Sequence, residues 1–203
     1  MTATKIGIII GSNRKISQSG RIAEFVHSLI NNLQANVSVD LFSVRDMNLP
    51  LWSEEKWQSN SSLVDLWKPF SSRLKECDGF IVISPEWAGM APPHLKNFLL
   101  MCDGGELAHK PGLLIGVSSG FGGAYPVAEL RMSGYKNNFL WWLPDHVILR
   151  HVESLFVEEP PTKLDVNMTN RLNYSLEFLV ETAIAMAPVR EKVQNLATYK
   201  HGM

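Results

Sequence analysis

The sequence predicts an α/β protein, a doubly wound five-stranded parallel sheet with helices on both faces. Three observations lead there. Short β-branched runs alternate with longer stretches whose apolar residues recur at three- and four-residue steps, five of each. Each helical stretch is long enough for the right-handed crossover that joins two parallel neighbours. The 203 residues are 45% apolar and carry no internal repeat or low-complexity segment, so a single domain, 1–203, is expected.

The first run, Lys5 to Ile10, is short, β-branched and ended by Gly11, which fits a central strand covered on both faces. Ile22, Phe25, Val26, Leu29, Ile30 and Leu33 then form one stripe on a helix. Val37 to Val44 alternates apolar and polar residues, as a partly exposed edge strand does. Met47 to Asn60 holds Pro50 and two tryptophans without a clear period and reads as a long surface loop. Leu66, Phe70, Leu74 and Cys77 mark a helix ending near Asp78, which Pro69 must kink or start. Further strands follow at Phe80–Ser84, Leu113–Ser118 and His146–Leu149, separated by helices after Pro92 and after Gly123. A last helix, about 165–188, presents Leu172, Leu176, Leu179, Ala183 and Met186 to the sheet and is expected to stop at Pro188. The expected strand order is 2-1-3-4-5, with the second strand at an edge. Ligands of such sheets bind beyond the carboxyl ends of the strands, where strand order reverses. Function is therefore expected in the loops after the first, third and fourth strands.

Nineteen basic and twenty acidic residues nearly cancel, so no overall field draws the chain to nucleic acid or to a membrane surface. No run has the length of a signal-peptide core or a membrane span, and a cytoplasmic protein is expected. Cys77 and Cys102 have no partners at metal-ligand spacing and read as buried thiols. Six scattered histidines show no ligand pattern, so no metal site is expected, and the absence of a G-x-S-x-G elbow disfavours a serine hydrolase.

The loop after the first strand reads Gly11-Ser-Asn-Arg-Lys-Ile-Ser-Gln-Ser-Gly20-Arg21, with three cations, three hydroxyls and no acid before Glu24. Free amides, the positive end of the following helix and the fork of Arg14 make this a phosphate-binding composition. It matches neither the P-loop nor the G-x-G-x-x-G fingerprint, which favours a mononucleotide over ATP or tightly held NAD. The loop after the third strand, Ser84 to Asn97, places Trp87 and Met90 as apolar surface and Gly89 where backbone approaches a flat ligand.

With these loops in view, the chain resembles the NAD(P)H-dependent FMN reductase family, flavodoxin-like enzymes that include quinone, azo-dye and chromate reductases. Gly11, Ser12, Arg14 and Ser17 match the family's G-S-x-R-x-x-S, and Pro85, Glu86, Pro92, Leu95, Lys96 and Asn97 match P-E-Y-N-x-x-x-P-x-x-L-K-N. The likeness runs from Lys5 to about Leu149. Trp87 and Ala88 replace the family's usual tyrosine and asparagine, which keeps an aromatic wall and removes a side-chain amide. The family also tends to carry asparagine where Ser19 stands and an acid where Leu100 stands.

The resemblance implies a bound FMN, with NADPH or NADH as co-substrate and a free flavin, quinone or similar small acceptor, the two using one open face in turn. It implies no catalytic side chain, because the hydride chemistry belongs to the cofactor. Ser12, Arg14, Ser17 and Ser19 would hold the phosphate. Pro85, Glu86, Trp87, Ala88 and Gly89 would border one edge of the ring system, and Ser118, Ser119, Gly120 and Gly123 the other. Glu86 is expected to order its own loop. Two other readings stay open: a flavodoxin-type electron carrier, against which the near-neutral charge and Arg14 speak, and a cofactor-poor interaction module, suggested by Trp87 and Ala88. Leu100 and Met101 project beyond the sheet-facing stripe of their helix, and Trp141 and Trp142 point to opposite faces if extended. A homodimer or homotetramer is expected from these surfaces.

Overall fold

The computed structural model describes residues 3–33 and 36–193. Strands β1 (Thr4–Ile10), β2 (Val37–Ser43), β3 (Gly79–Pro85), β4 (Pro111–Val117) and β5 (Trp141–Leu149) form one sheet in the order β2-β1-β3-β4-β5. All four pairings are parallel, as the sequence pattern predicts, and β2 lies at an edge. Every residue of β3 and β4 is buried, which explains why these strands read as unbroken apolar runs.

Helices α1 (Gln18–Leu33) and α6 (Lys163–Lys192) cover one face, where Ile22, Val26, Leu172 and Leu176 pack on Ile6, Ile8, Ile81 and Ile115. The short α2 (Val44–Met47) joins α3 (Ser62–Lys75), α4 (Pro93–Met101) and α5 (Ala124–Ser133) on the other face. There Met47, Trp67, Phe98 and Leu130 pack on Ile9, Phe80, Val82 and Leu114. Among the described residues no helix is long and apolar enough to cross a membrane.

Four elements differ from the sequence expectation. Helix α6 does not stop at Pro188 but runs from Lys163 to Lys192. Its buried face ends at Ala183, so Pro188 lies where the helix has left the sheet. The Arg190 guanidinium holds that end down, donating to Asp78 at 2.6 Å and to the Asp78 and Ala183 carbonyls. Pro69 neither starts nor ends α3, which begins at Ser62 under a cap in which Ser61 Oγ accepts the Val64 amide at 3.1 Å. Strand β5 begins at Trp141 rather than His146. Pro144 is tolerated there because β5 is an edge strand, and Arg131 covers the Leu143 and Asp145 carbonyls at 2.6 and 2.9 Å. The segment expected as plain loop contains a 3-10 turn, Glu54–Trp57, strapped by Lys56 and Trp57 to Asp103, just past the end of α4.

Candidate functional site

The loops after β1, β3 and β4 meet at the carboxyl end of the sheet. The first opens where the Gly11 amide donates to the Ile83 carbonyl at 2.9 Å, ending β1 against β3. Ser17 starts α1, its Oγ accepting the Gly20 amide at 3.2 Å and its carbonyl the Arg21 amide at 3.1 Å. Ser12 is buried, with Oγ accepting the Arg14 amide at 3.3 Å. Ser19 lies on the first turn of α1, only 1% exposed, and its Oγ has no hydrogen-bond partner among the described residues. Of the loop's cations, Arg21 is engaged by Gln18 and by the Val152 and Leu155 carbonyls and serves the fold. Arg14 is exposed and lies over the Trp87 ring, 4.9 Å from its centroid.

After β3 the chain makes a tight hairpin in which Trp87 and Met90 exchange two backbone hydrogen bonds of 3.0 Å. Both central residues have positive φ, 49° at Ala88 and 73° at Gly89, the signature of a type I′ turn. Gly89 adopts this freely and Ala88 does not. The Glu86 carboxylate departs from expectation. It does not order its own loop but reaches across to the amino end of α5, accepting the Gly123 amide at 2.6 Å and the Tyr125 amide at 3.3 Å. The physical reason is the positive end of that helix, whose first amides need an acceptor.

The loop after β4 is fastened on its other side to the end of β5. Ser118 donates its amide to Leu149 and accepts that of Val152, while Gly120 accepts the His151 amide at 3.1 Å. Gly120 in turn donates to Ser118 Oγ at 3.2 Å, and Arg150 Nε donates to the Gly122 carbonyl at 3.0 Å. Ser119 is exposed, and Gly123, at φ 97°, is buried. At the tip, Phe121 is 83% exposed and meets the edge of His151 at 4.4 Å.

The structure thus joins all three sequence-predicted loops: the first to the second through Arg14 and Trp87, the second to the third through Glu86 and Gly123. Several residues of this framework escaped the sequence reading. His94 accepts or donates to Asn13 at 2.9 Å, and Glu129 of α5 holds both the Ala91 amide and Lys96. Asn97 secures the segment after β2 by accepting the Trp52 amide and donating to the Pro50 carbonyl. Lys96 and Asn97 were legible as motif residues, but their partners more than thirty positions away were not.

Other groups recede from the chemistry. Both cysteines are free and buried; burial pushes the Cys77 thiol up to about 12 and the Cys102 thiol well above its ordinary value, so neither is poised as a nucleophile. Among the described residues no group of three or more His, Cys, Asp or Glu is placed to hold a metal. A cavity of about 570 Å³ lies away from the loops on the outer side of α4, between Trp52 and Trp57 on one wall and Leu130 and Tyr135 on the other.

The donor set fits a phosphate. Among the described residues Ser19 presents a buried hydroxyl without an acceptor and Arg14 a guanidinium without one, and the first turn of α1 contains no acid to compete. On the far side, a Cβ placed on Gly120 would meet nothing within 4 Å, leaving room for a ligand against that backbone.

Comparison with known proteins agrees with this geometry. Among curated proteins, the chain is 25% identical over 175 residues to a 2-hydroxy-1,4-benzoquinone reductase of Burkholderia sp., covering 81% of this chain and 84% of the relative. It is 23% identical over 145 residues to an NADPH azoreductase of Bacillus sp. strain OY1-2, covering 71% and 76%. Among solved structures it superposes on the flavoenzyme NAD(P)H:acceptor oxidoreductase FerB of Paracoccus denitrificans with a TM-score of 0.70 at 18% identity, over 90% of this chain and 98% of that one, a likeness of fold. The family model described as NADPH-dependent FMN reductase matches residues 4–153, so the phosphate-type loop, the hairpin and the glycine-rich loop all fall within it, and the chain belongs to that family of NAD(P)H-dependent oxidoreductases.

Proposed function

We propose that this protein holds one FMN at the carboxyl end of its sheet and passes hydride from NADPH or NADH to a small planar acceptor such as a free flavin or quinone. When bound, FMN supplies the redox chemistry, accepting hydride and delivering it again. The chain's own groups bind and orient. Hydroxyls of Ser12, Ser17 and Ser19 donate to phosphate oxygens and Arg14 supplies the opposing charge. Pro85, Glu86, Trp87, Ala88 and Gly89 border one edge of the ring system, chiefly through backbone, and Ser118, Ser119, Gly120 and Gly123 the other. The Glu86 carboxylate keeps those two walls in register by holding the Gly123 amide.

The observation that carries the proposal is the buried Ser19 hydroxyl, without a hydrogen-bond partner among the described residues, in the segment that also carries Arg14, whose guanidinium has no hydrogen-bond acceptor among them. The names of the two relatives, one reducing a benzoquinone and one an azo compound, support a flat acceptor for this chain as well. A cytoplasmic location and a single-domain chain accord with the same reading.

Arg14→Ala tests it. A charge-assisted hydrogen bond contributes about 1.5–3 kcal/mol, so FMN binding weakens roughly ten- to a hundredfold, while riboflavin, which lacks the phosphate, binds as before. Equal losses for the two flavins, or failure of the wild type to bind FMN, refute the proposal.

The functional unit in this reading is a homo-oligomer. Leu100 is 59% exposed on the outer side of α4, above the cavity floored by that helix. A two-fold axis beside Leu100 would pack this apolar surface on its own copy, an isologous contact.

A further inference from the structure

The face of Trp87 is occupied by a cation rather than left bare. The Arg14 guanidinium lies over the indole at 4.9 Å and has no hydrogen-bond acceptor among the described residues. A guanidinium held by the face of an aromatic ring keeps its N–H groups available for an anion. The neighbouring Asn13 is tied to His94, at the start of α4, by a hydrogen bond of 2.9 Å. Two adjacent residues of the first loop are thus held by the segment that follows β3. Trp87 itself is not free to wander, because both its backbone groups are bonded to Met90 across the tight turn.

We infer that Trp87 is a positioning residue for phosphate recognition: it holds Arg14 in place, so that retention of the FMN phosphate depends on a residue outside the phosphate loop. This rests on the reading of the first loop as the phosphate site. An exposed arginine without such a platform samples many rotamers and must be ordered when the phosphate arrives. With the platform, that ordering precedes binding. A cation–π contact at an exposed site corresponds to a factor of about two to five in affinity.

The test is a double-mutant cycle on flavin binding, read by flavin fluorescence for wild type, Trp87→Leu, Trp87→Tyr, Arg14→Ala and the Trp87→Leu/Arg14→Ala pair. Trp87→Leu weakens FMN about two- to fivefold more than it weakens riboflavin, Trp87→Tyr removes that difference, and Trp87→Leu has no FMN-specific effect once Arg14 is alanine. Equal weakening of both flavins overturns the inference, since Trp87 then acts on the ring system itself. Full additivity of the two changes overturns it as well. A second readout needs no flavin: the Arg14 Nε–H proton resonance of the free protein shifts by the indole ring current, and the shift disappears in Trp87→Leu. Its absence in the wild type removes the tether. A wild type that binds neither flavin while showing that shift instead overturns the reading of the loop as an FMN site, and with it the role assigned to Trp87.

Discussion

At Ala88, in the hairpin of the candidate site, the residue type and the local backbone disagree, and its replacement gives a measurable gain. The hairpin after β3 needs positive φ at both central positions, and Ala88 sits at 49°. A non-glycine residue in this region costs about 1–2 kcal/mol. Its methyl group is exposed, so removing or enlarging it disturbs no packing. Glycine relieves the strain but adds roughly 0.4–1 kcal/mol of unfolded-state entropy, and asparagine tolerates the conformation without that penalty. Ala88→Gly and Ala88→Asn therefore stabilise the protein by about 0.5–1 kcal/mol. In a chain of this size that raises the melting temperature by roughly 1–4 °C. Ala88→Val, with a β-branched side chain at the same φ, lowers it. Thermal unfolding followed by circular dichroism measures all three. A melting temperature that is unchanged or lower in both Ala88→Gly and Ala88→Asn refutes the assignment of strain to this turn.

Three other outcomes are expected. Glu86→Gln removes the charge at the start of α5 while keeping an oxygen for both amides, which one carboxylate oxygen accepts in the wild type, costing about 0.3–1 kcal/mol; in flavin titrations it weakens FMN and riboflavin alike, and a loss confined to FMN contradicts the bridging role. Lys110 is buried and donates to the Leu74, Lys75 and Glu106 carbonyls, so Lys110→Met costs about 1–3 kcal/mol at pH 7 in denaturant unfolding. Burial pushes the Lys110 ammonium down from 10.5 to about 8; between those values the unfolded chain binds more protons, so the advantage of wild type over Lys110→Met widens as pH rises, and a constant difference refutes this. Leu100→Arg places two like charges on the suggested two-fold axis and converts a dimer to a monomer by light scattering at micromolar concentration; an unchanged mass rules out that axis.

The fold was legible because its signal is local. Burial on both faces leaves β1, β3 and β4 as continuous apolar runs, and the stripe on α1 repeats within a single helix, so the parallel sheet and its edge strand followed from periodicity and connection rules, and the strand order from the flavodoxin-like arrangement of doubly wound sheets. The phosphate-type composition of the first loop was equally local. What escaped notice joins distant positions. Glu86 and Gly123 stand thirty-seven residues apart, and neither carries a local mark of the bond between them. Pro188 misled for a related reason: proline reports a missing donor, whereas the helix continues because Arg190 reaches Asp78, 112 positions earlier in the chain. The aromatic at position 87 was recognised, but that its face would be taken by Arg14 was not, since only the fold brings them to 4.9 Å.

These partnerships also explain why the family is easier to recognise than the acceptor. The charged and amide side chains of the second motif turn into the protein: Glu86 toward α5, Lys96 toward Glu129, and Asn97 toward the segment after β2. They hold the walls of the site and leave its rim to other residues. That rim carries Phe121 at 83% exposure and Tyr125 at 68%, the latter with its ring 3.8 Å from where a Gly89 side chain would begin. Neither aromatic has a motif position; Phe121 sits on the loop fastened to the end of β5, and Tyr125 on the first turn of α5, where Glu86 accepts its amide. A rigid wall with exposed aromatic edges selects flat molecules by stacking area rather than by charge. On the proposed function, changes at Phe121 and Tyr125 are expected to alter which acceptor is reduced, whereas changes at Glu86, Lys96 and Asn97 are expected to weaken the walls that hold any flavin.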